Sequence, residues 1–394
     1  MSRFYSHINS AKKILDTYQG DKPFSIFLKL FFSSNKKYGA KDRKSIASLC
    51  FHYFRMGMAF TDIAIDEKLL VATFLCETTD SLLLKELRPE WNEKISIPVR
   101  EKINLVRQNI SLLDFFPFCD LLSSGIEMEA YSLSMLTQPD LFIRIRPQSK
   151  DAVINQLKQS NFHWQLMNDQ CVRLKNSDKV ADFFKLDKEV VVQDSNSQQV
   201  LNYLKQPGLL ETSVTNNTLS VWDCCAASGG KSILLMDVLD CKIDLTVSDI
   251  RESILTNLHQ RFKSAGIINY ETFVTDLGGA DNKMINKDFD LIICDAPCSG
   301  SGTWGRTPEQ LVFFKKTSIQ YYADLQRKIV ANAITHLKPG GLLVYITCSV
   351  FKAENEMVVN FVTESLECKL LDQQLLKGYQ QQSDSMFVAI FKKG

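Results

Sequence analysis

The chain has 394 residues, which suits two or three domains, and its 45% hydrophobic and 23% charged residues are ordinary values for a globular protein. This composition argues against disorder, collagen-like repeats and low-complexity arrays. The formal net charge of +1 provides no global basic field, so any contact with nucleic acid must come from local patches.

The cysteines and the apolar runs indicate the cellular setting. Eleven scattered cysteines are an odd number, which disfavours a disulfide framework and favours a reducing compartment. Residues 1–13 lack the apolar core of a signal peptide, and runs such as Leu69–Cys76 are far shorter than the roughly 20 residues of a membrane span. We expect a cytoplasmic protein without a membrane partner, and we take it to be a monomer.

Residues 1–138 are predicted to form a helical domain. Ile46, Leu49, Cys50, Tyr53 and Phe54 recur at helical spacing and predict one buried stripe. The segment Phe24–Phe32 is apolar almost all round, which suits a helix in the middle of a bundle. A basic cluster before the stripe is either a solvated helix start or an edge that contacts phosphates: Lys36, Lys37, Lys41, Arg43 and Lys44.

Residues 139–192 are predicted to form a small α+β module that binds RNA. In the strand Leu141–Arg146, Ile143 and Ile145 occupy one face. The opposite face carries Phe142, Arg144 and Arg146, and such a face can stack bases and hold phosphates. An exposed edge strand would show the same alternation.

Residues 193–394 are typical of an α/β domain. Helical patterns alternate with apolar segments that read as strands: Leu219–Cys224, Leu245–Ser248, Tyr270–Val274, Phe289–Cys294 and Leu342–Thr347. A late strand is expected at Phe387–Phe391, and Pro339-Gly340-Gly341 is expected to stop a long helix that runs through about Leu337. This alternation predicts a mostly parallel, Rossmann-like sheet that binds ligands at the carboxyl ends of its strands.

A glycine-rich turn follows the first of these strands, within Asp223–Ser232. Glycine allows close approach of a ligand, and the next helix offers free amides. A P-loop would require glycine at Cys225, so ATP is set aside. Asp249, Asp276 and Asp295 end three successive strands, where a carboxylate can accept hydrogen bonds from ribose hydroxyls. A nicotinamide enzyme remains open, although the full G-x-G-x-x-G pattern is missing.

Two motifs bring cysteines to the same sheet edge: Asp295-Ala296-Pro297-Cys298-Ser299-Gly300 and Thr347-Cys348-Ser349. A lone cysteine is usually a small buried hydrophobe. Two thiols beside a carboxylate suit methylation of cytosine carbon 5, which needs a thiolate on carbon 6, an acid near ring nitrogen 3 and a group that assists release. Spacing alone leaves the two thiols interchangeable. Zinc is disfavoured because Cys348 lacks a close cysteine mate, so we expect no metal.

These motifs resemble the Sun/Nop-type RNA (cytosine-5) methyltransferases, specifically the bacterial branch with a NusB-like helical domain that acts on small-subunit ribosomal RNA. The resemblance covers roughly Val191–Lys392. It implies a class I methyltransferase domain at 193–394, with Cys348 as the nucleophile, Cys298 assisting release and Asp295 facing the base. It also implies an S-adenosylmethionine pocket formed by Cys225, Ala226, Ala227, Ser228, Gly229, Gly230, Lys231, Asp249, Asp276 and Asp295.

The chain departs from the family pattern at Ser228, where proline is usual, so a softer loop is expected. The implied partner is RNA, ribosomal rather than transfer. Three alternatives stay open: a transfer RNA cytosine-5 methyltransferase, a non-catalytic RNA-binding ribosome assembly factor, and a DNA cytosine-5 methyltransferase. The intact Cys298, Cys348 and Asp295 argue against the second. In the DNA enzymes the Pro-Cys thiol attacks, and Cys348 would be superfluous.

Overall fold

A computed structural model describes residues 3–108, 110–206, 209–210, 218–239, 242–279 and 286–394. The helices are α1 (Arg3–Thr17), α2 (Phe24–Ser34), α3 (Ala40–Arg55), α4 (Ile65–Cys76), α5 (Leu82–Leu87), α6 (Pro89–Asn92), α7 (Val99–Val106), α8 (Met128–Ser134), α9 (Lys150–Gln159), α10 (Val180–Phe183), α11 (Gly230–Val238), α12 (Glu252–Ala265), α13 (Gln310–Phe313), α14 (Thr317–Ile334) and α15 (Glu356–Ser365). The strands are β1 (Leu141–Ile145), β2 (Gln165–Leu166), β3 (Cys171–Leu174), β4 (Val190–Val192), β5 (Thr218–Asp223), β6 (Lys242–Asp249), β7 (Tyr270–Val274), β8 (Phe289–Asp295), β9 (Leu337–Thr347), β10 (Cys368–Leu376) and β11 (Met386–Lys393). Over the described part of the chain, no helix combines the length and the apolarity needed to cross a bilayer.

The chain divides into two compact units, of which the first is helical. It comprises Met1–Leu122, Ile126–Pro139 and, from much later in the sequence, Thr303–Lys316. This last segment carries α13, and its Glu309 accepts a hydrogen bond of 3.0 Å from the backbone N–H of Phe24 at the start of α2. The helical unit therefore includes a segment that comes after strands β5 to β8 of the second unit in the sequence.

The predicted stripe on α3 is confirmed, since Ile46, Leu49, Cys50 and Phe54 are buried in the core of the helical unit. The prediction for α2 is wrong in part. Its buried face is limited to Phe24, Leu28 and Phe32, and the opposite face leaves Ile26 and Leu30 about half exposed. The helix therefore lies at the surface of the unit and not at its centre.

The second unit contains a seven-stranded sheet in the order β10-β11-β9-β8-β5-β6-β7. The neighbouring strands β9, β8, β5, β6 and β7 all pair in parallel. Strand β11 pairs antiparallel with both β9 and β10. The central strand β8 is buried on both faces, as its run of isoleucine and leucine predicts. The prediction of an α/β, Rossmann-like fold with a mostly parallel sheet and a helical N-terminal region is confirmed.

A smaller antiparallel sheet, in the order β2-β3-β1-β4, belongs to the same compact unit as the large sheet. The prediction of an open RNA-stacking face on β1 is wrong, because Phe142, Arg144 and Arg146 are at most 5% exposed. Both arginines instead form salt bridges with the buried carboxylate of Asp237 on α11. The division into modules 139–192 and 193–394 stays a prediction.

Two features of the late strands differ from the sequence prediction. Pro339-Gly340-Gly341 does not precede β9 but lies inside it, and Gly340 adopts a φ of +75° beside an irregularity in the pairing of β8 with β9. The tripeptide thus marks a distortion of the sheet and not a helix stop. The sequence prediction also missed β10, a strand at the edge of the sheet whose exposed residues are polar.

Candidate active site

The turn between β5 and α11 is shaped by glycine. Gly229 has a φ of +82°, a conformation that side chains disfavour. A Cβ at this position would lie 2.4 Å from the ring of Phe262. The turn therefore needs glycine for both its backbone conformation and its close packing against α12.

Asp249, at the end of β6, holds this turn in place. Its side chain is 6% exposed, and its Oδ2 accepts a hydrogen bond of 3.0 Å from the backbone N–H of Ala227. Its Oδ1 accepts one of 3.0 Å from the backbone N–H of Arg251. Because Ala227 has a φ of +46°, this carboxylate fixes a backbone conformation that is uncommon outside glycine.

Side-chain contacts hold the turn at Ser228, where the sequence analysis expected a softer loop. The guanidinium of Arg261 donates to Ser228 Oγ at 2.9 Å and to its carbonyl oxygen at 3.1 Å. The same guanidinium pairs with Asp187 at 2.8 Å. These partners are distant in sequence, so no local pattern could have predicted them.

A cavity of about 380 Å³ opens at the carboxyl ends of the central strands. Of the predicted site residues, those that line it are Cys225, Ala227, Asp249, Asp276, Asp295 and Cys298. The remaining predicted cofactor residues lie on the adjoining turn and the start of α11, outside the described lining: Ala226, Ser228, Gly229, Gly230 and Lys231.

Sequence reasoning missed the apolar wall of this cavity, which α14 supplies through Tyr322, Leu325 and Ile329. Their spacing of three and four residues places them on one face of a helix, but that pattern also fits ordinary core packing. Asp276 also lines the cavity. Its Oδ1 stabilises the turn that follows β7, because it accepts hydrogen bonds from the backbone N–H groups of Gly278 and Gly279.

The two predicted catalytic thiols lie together. The Sγ atoms of Cys298 and Cys348 are 3.3 Å apart, because each cysteine follows one of the parallel neighbours β8 and β9. Both side chains are partly accessible. The hydrogen bond shared with Cys348, together with burial, raises the pKa of Cys298 well above its ordinary value. The thiol form of Cys298 is thus favoured over its thiolate.

Lys231 brings a positive charge to this group. Its Nζ lies 2.9 Å from Asp295 Oδ2, and its side chain is only 12% exposed. Burial acts to lower the pKa of Lys231, but the charge and hydrogen bond of Asp295, with a smaller effect of Cys348, raise it. The lysine is therefore held as a cation within the electrostatic reach of Cys348.

Three further thiols, those of Cys224, Cys225 and Cys294, lie within 4.8 Å of one another. Cys294 is fully buried in an apolar cluster, as is usual for a cysteine that serves as a small hydrophobe. Three sulfur ligands are one short of the four that structural zinc takes. The expectation of no metal stays a prediction.

Comparison with known proteins finds a family that the C-terminal part of the chain resembles. Residues 210–391 match the model of the family described as 16S rRNA methyltransferase RsmB/F. A relative named ribosomal RNA small subunit methyltransferase B, from Klebsiella pneumoniae, is 32% identical over 171 residues, which are 43% of this chain and 37% of that protein. The matches to the curated relatives thus span well under half of their length.

Two solved structures extend the likeness in fold. The protein PH0851 has a TM-score of 0.69 at 19% identity over 94% of this chain and 95% of its own. NSun6 from Pyrococcus horikoshii, solved with SFG, has a TM-score of 0.53 at 17% identity over 65% of this chain and 91% of its own. Residues 210–391 are thus similar to the 16S rRNA methyltransferase RsmB/F family, which supports the resemblance drawn from the sequence motifs.

Proposed function

We propose that this protein transfers a methyl group from S-adenosylmethionine to carbon 5 of a cytosine in small-subunit ribosomal RNA, through a covalent adduct with Cys348. The observation that carries the proposal is the pair of sulfurs 3.3 Å apart, one of which lines a cavity together with the carboxylate of Asp295. A methyltransferase that uses only binding and orientation would need neither thiol.

The cavity suits the proposed methyl donor. A volume of about 380 Å³ lies in the range of small-molecule sites, and the wall combines apolar side chains with carboxylates. Asp249 stands at the end of β6, the position from which a carboxylate reaches ribose hydroxyls in related sheets. When bound, S-adenosylmethionine supplies an electrophilic methyl group.

Each residue has a separate task on the base. The Cys348 thiolate forms a bond to carbon 6, which makes carbon 5 nucleophilic. Asp295 can hydrogen-bond at ring nitrogen 3 and the exocyclic amine, where charge develops. After methylation, a base removes the carbon 5 proton and the bond from carbon 6 to Cys348 breaks. Cys298 lies beside Cys348 and is placed to assist this release.

Ribosomal RNA is the substrate that the relatives favour. Bacterial relatives are named ribosomal RNA small subunit methyltransferases B and F, and a relative from Caenorhabditis elegans is named 26S rRNA (cytosine-C(5))-methyltransferase nsun-1. The helical unit, proposed to be NusB-like, would hold the RNA. Its basic residues Lys41 and Lys44 both line a cavity of about 490 Å³, and this arrangement supports a contact with RNA phosphates.

Bisulfite sequencing of total RNA from cells with and without the protein tests the proposal. We expect one 5-methylcytosine to vanish from small-subunit ribosomal RNA in the deletion strain and to return with the wild-type chain. Loss from transfer RNA would support the alternative substrate. An unchanged methylation pattern would overturn the enzymatic proposal and favour the assembly factor.

A further inference from the structure

A single buried carboxylate joins the two cysteine loops. Glu354 is fully buried and lies between β9 and α15. Its Oε2 accepts a hydrogen bond of 2.8 Å from the backbone N–H of Ser299, the residue after Cys298. Its Oε1 accepts one of 2.9 Å from the hydroxyl of Ser349, the residue after Cys348. One side chain thus contacts the immediate neighbour of each sulfur-bearing residue.

A second side chain completes this bridge on the Cys298 side. The amide of Gln326, on α14, donates to Glu354 Oε2 at 3.1 Å and to the carbonyl oxygen of Pro297 at 3.0 Å. The backbone is therefore held immediately before and immediately after Cys298. Gln326 is itself fully buried, so this contact is shielded from water.

The next residue along the chain secures the Cys348 side. Asn355 donates from Nδ2 to the carbonyl oxygen of Ser349 at 2.9 Å and accepts from the hydroxyl of Thr347 at 2.6 Å. Both ends of the Thr347-Cys348-Ser349 segment are tied to the start of α15. Direct hydrogen bonds also join the two loops, from Ser299 Oγ to Ser349 Oγ at 3.2 Å and from the backbone N–H of Gly302 to the carbonyl oxygen of Cys348 at 2.8 Å. The Glu354 carboxylate reinforces them because it binds both serine residues of the first contact.

The groups that surround the Glu354 carboxylate are donors: a backbone N–H, an amide N–H and a hydroxyl. An ionised carboxylate accepts at both oxygens, whereas an amide in its place would turn an N–H toward one of the N–H donors or toward the Ser349 hydroxyl, whose oxygen already accepts from the backbone N–H of Phe351 at 3.0 Å. Burial of such an unmatched pair is costly, so the contacts depend on the carboxylate and not on shape alone.

We propose that Glu354 is a positioning residue that sets the separation of the Cys298 and Cys348 sulfurs by holding both loops to one carboxylate. It lies outside the described lining of the 380 Å³ cavity, so it acts through the loops and not on the methyl donor. This inference rests on the proposed function for its catalytic consequence, but the geometry itself is tested without RNA.

The test is the rate at which diamide joins the two thiols. Diamide accepts two hydrogens as Cys298 and Cys348 form a disulfide, which peptide mapping by mass spectrometry identifies. In Glu354→Gln we expect this coupling to slow by about tenfold or more, because proximity of the sulfurs is lost. Glu364→Gln, which changes an exposed carboxylate on the following helix α15, is the matched control and should react like the wild type.

Catalysis provides the second readout. We expect methyl transfer by Glu354→Gln to fall by roughly 100-fold in kcat, with the KM for S-adenosylmethionine within about twofold of the wild type. Glu354→Asp, which keeps the charge, should recover part of both rates. Ser349→Ala removes only one arm of the bridge and serves if Glu354→Gln does not fold; it should slow the coupling to a smaller extent.

Disulfide formation at the wild-type rate in folded Glu354→Gln, or in Ser349→Ala if the first variant does not fold, would overturn the positioning role. Slower coupling in a protein whose wild type transfers no methyl group to RNA would instead support the positioning role and count against the proposed function. Failure of the positioning role and failure of the proposed methyl transfer therefore give different results.

Discussion

Lys231 Nζ lies 2.9 Å from Asp295 Oδ2, which pairs the first turn of α11 with the end of β8. The contact places a cation and an anion beside the thiol pair in a setting where water screens them little. The lysine supplies a largely buried positive charge beside the carboxylate that is proposed to face the base. The pair thus prepares the charge distribution that the proposed chemistry needs.

Replacement of the nucleophile separates catalysis from cofactor binding. Cys348→Ala should abolish methyl transfer and leave the affinity for S-adenosylmethionine unchanged, because Cys348 is outside the described lining of the cavity. Radiolabelled methyl transfer and calorimetry measure the two effects. Cys76→Ala, in the helical unit, is the matched control and should retain activity. Normal turnover by Cys348→Ala would refute the assignment.

Replacement of Cys298 should make the covalent adduct accumulate, whereas replacement of Cys348 should prevent its formation. Cys298→Ala removes the group that assists release, so the covalent bond between Cys348 and the base should persist. The expected product is a slowly migrating protein–RNA band on a denaturing gel, present with S-adenosylmethionine and absent from the double variant Cys298→Ala, Cys348→Ala. If no such band forms with active substrate and cofactor, the release role is wrong.

The carboxylate at the end of β6 should control binding of the methyl donor. Asp249→Ala removes the proposed acceptor for ribose and the hydrogen bond from Ala227 that holds the turn, so the dissociation constant should rise by about 10- to 100-fold. Asp244→Ala, at the exposed opposite end of the same strand, provides the control. Calorimetry that finds equal affinities for both variants would remove Asp249 from the pocket.

Two glycine-to-alanine substitutions separate the cost of a positive φ from the cost of a steric collision. Gly229→Ala and Gly266→Ala both place a side chain at positive φ, which costs roughly 1–2 kcal/mol. Only at Gly229 would the new Cβ collide with a neighbour, Phe262, whereas nothing lies within 4 Å at Gly266. Urea unfolding should therefore show the larger loss for Gly229→Ala. Equal losses would mean that the packing against α12 can adjust.

Asp223 should make stability depend on pH. It is fully buried, and burial raises its pKa from 3.8 to about 7, although a hydrogen bond from Ser232 opposes the shift. The folded state therefore holds a proton that the unfolded chain has lost, so stability should fall as the pH rises from about 4 to about 7. In Asp223→Asn this contribution disappears. Urea unfolding at both ends of the range should show a flatter profile for the variant, and parallel profiles would contradict the shift.

The sequence predicted the parallel sheet and the meeting of Cys298 with Cys348 for one physical reason. Apolar strands that alternate with helices favour a mostly parallel sheet, and the carboxyl ends of its parallel strands share one edge. Asp249, Asp276 and Asp295 reach the cavity by the same rule.

The rest depended on partners that are far apart in sequence. Arg144 and Arg146 alternate with apolar residues as an open strand would, but Asp237, more than 90 positions later, covers them. Glu354 contacts Ser299, which is 55 positions away, so no local pattern indicates this hydrogen bond. Local periodicity reports which face of an element is apolar, but it does not report what that face meets.

The segment Thr303–Lys316 has a consequence for synthesis on the ribosome. The helical unit needs this late segment: Phe313 packs against Tyr18 with 5.1 Å between ring centroids, and Glu309 caps the start of α2. Translation must therefore reach the last third of the message before the first-made helices can bury these groups. Until then the nascent chain exposes aromatic surface that a folding chaperone could recognise, and a fragment ending before residue 303 would never conceal it.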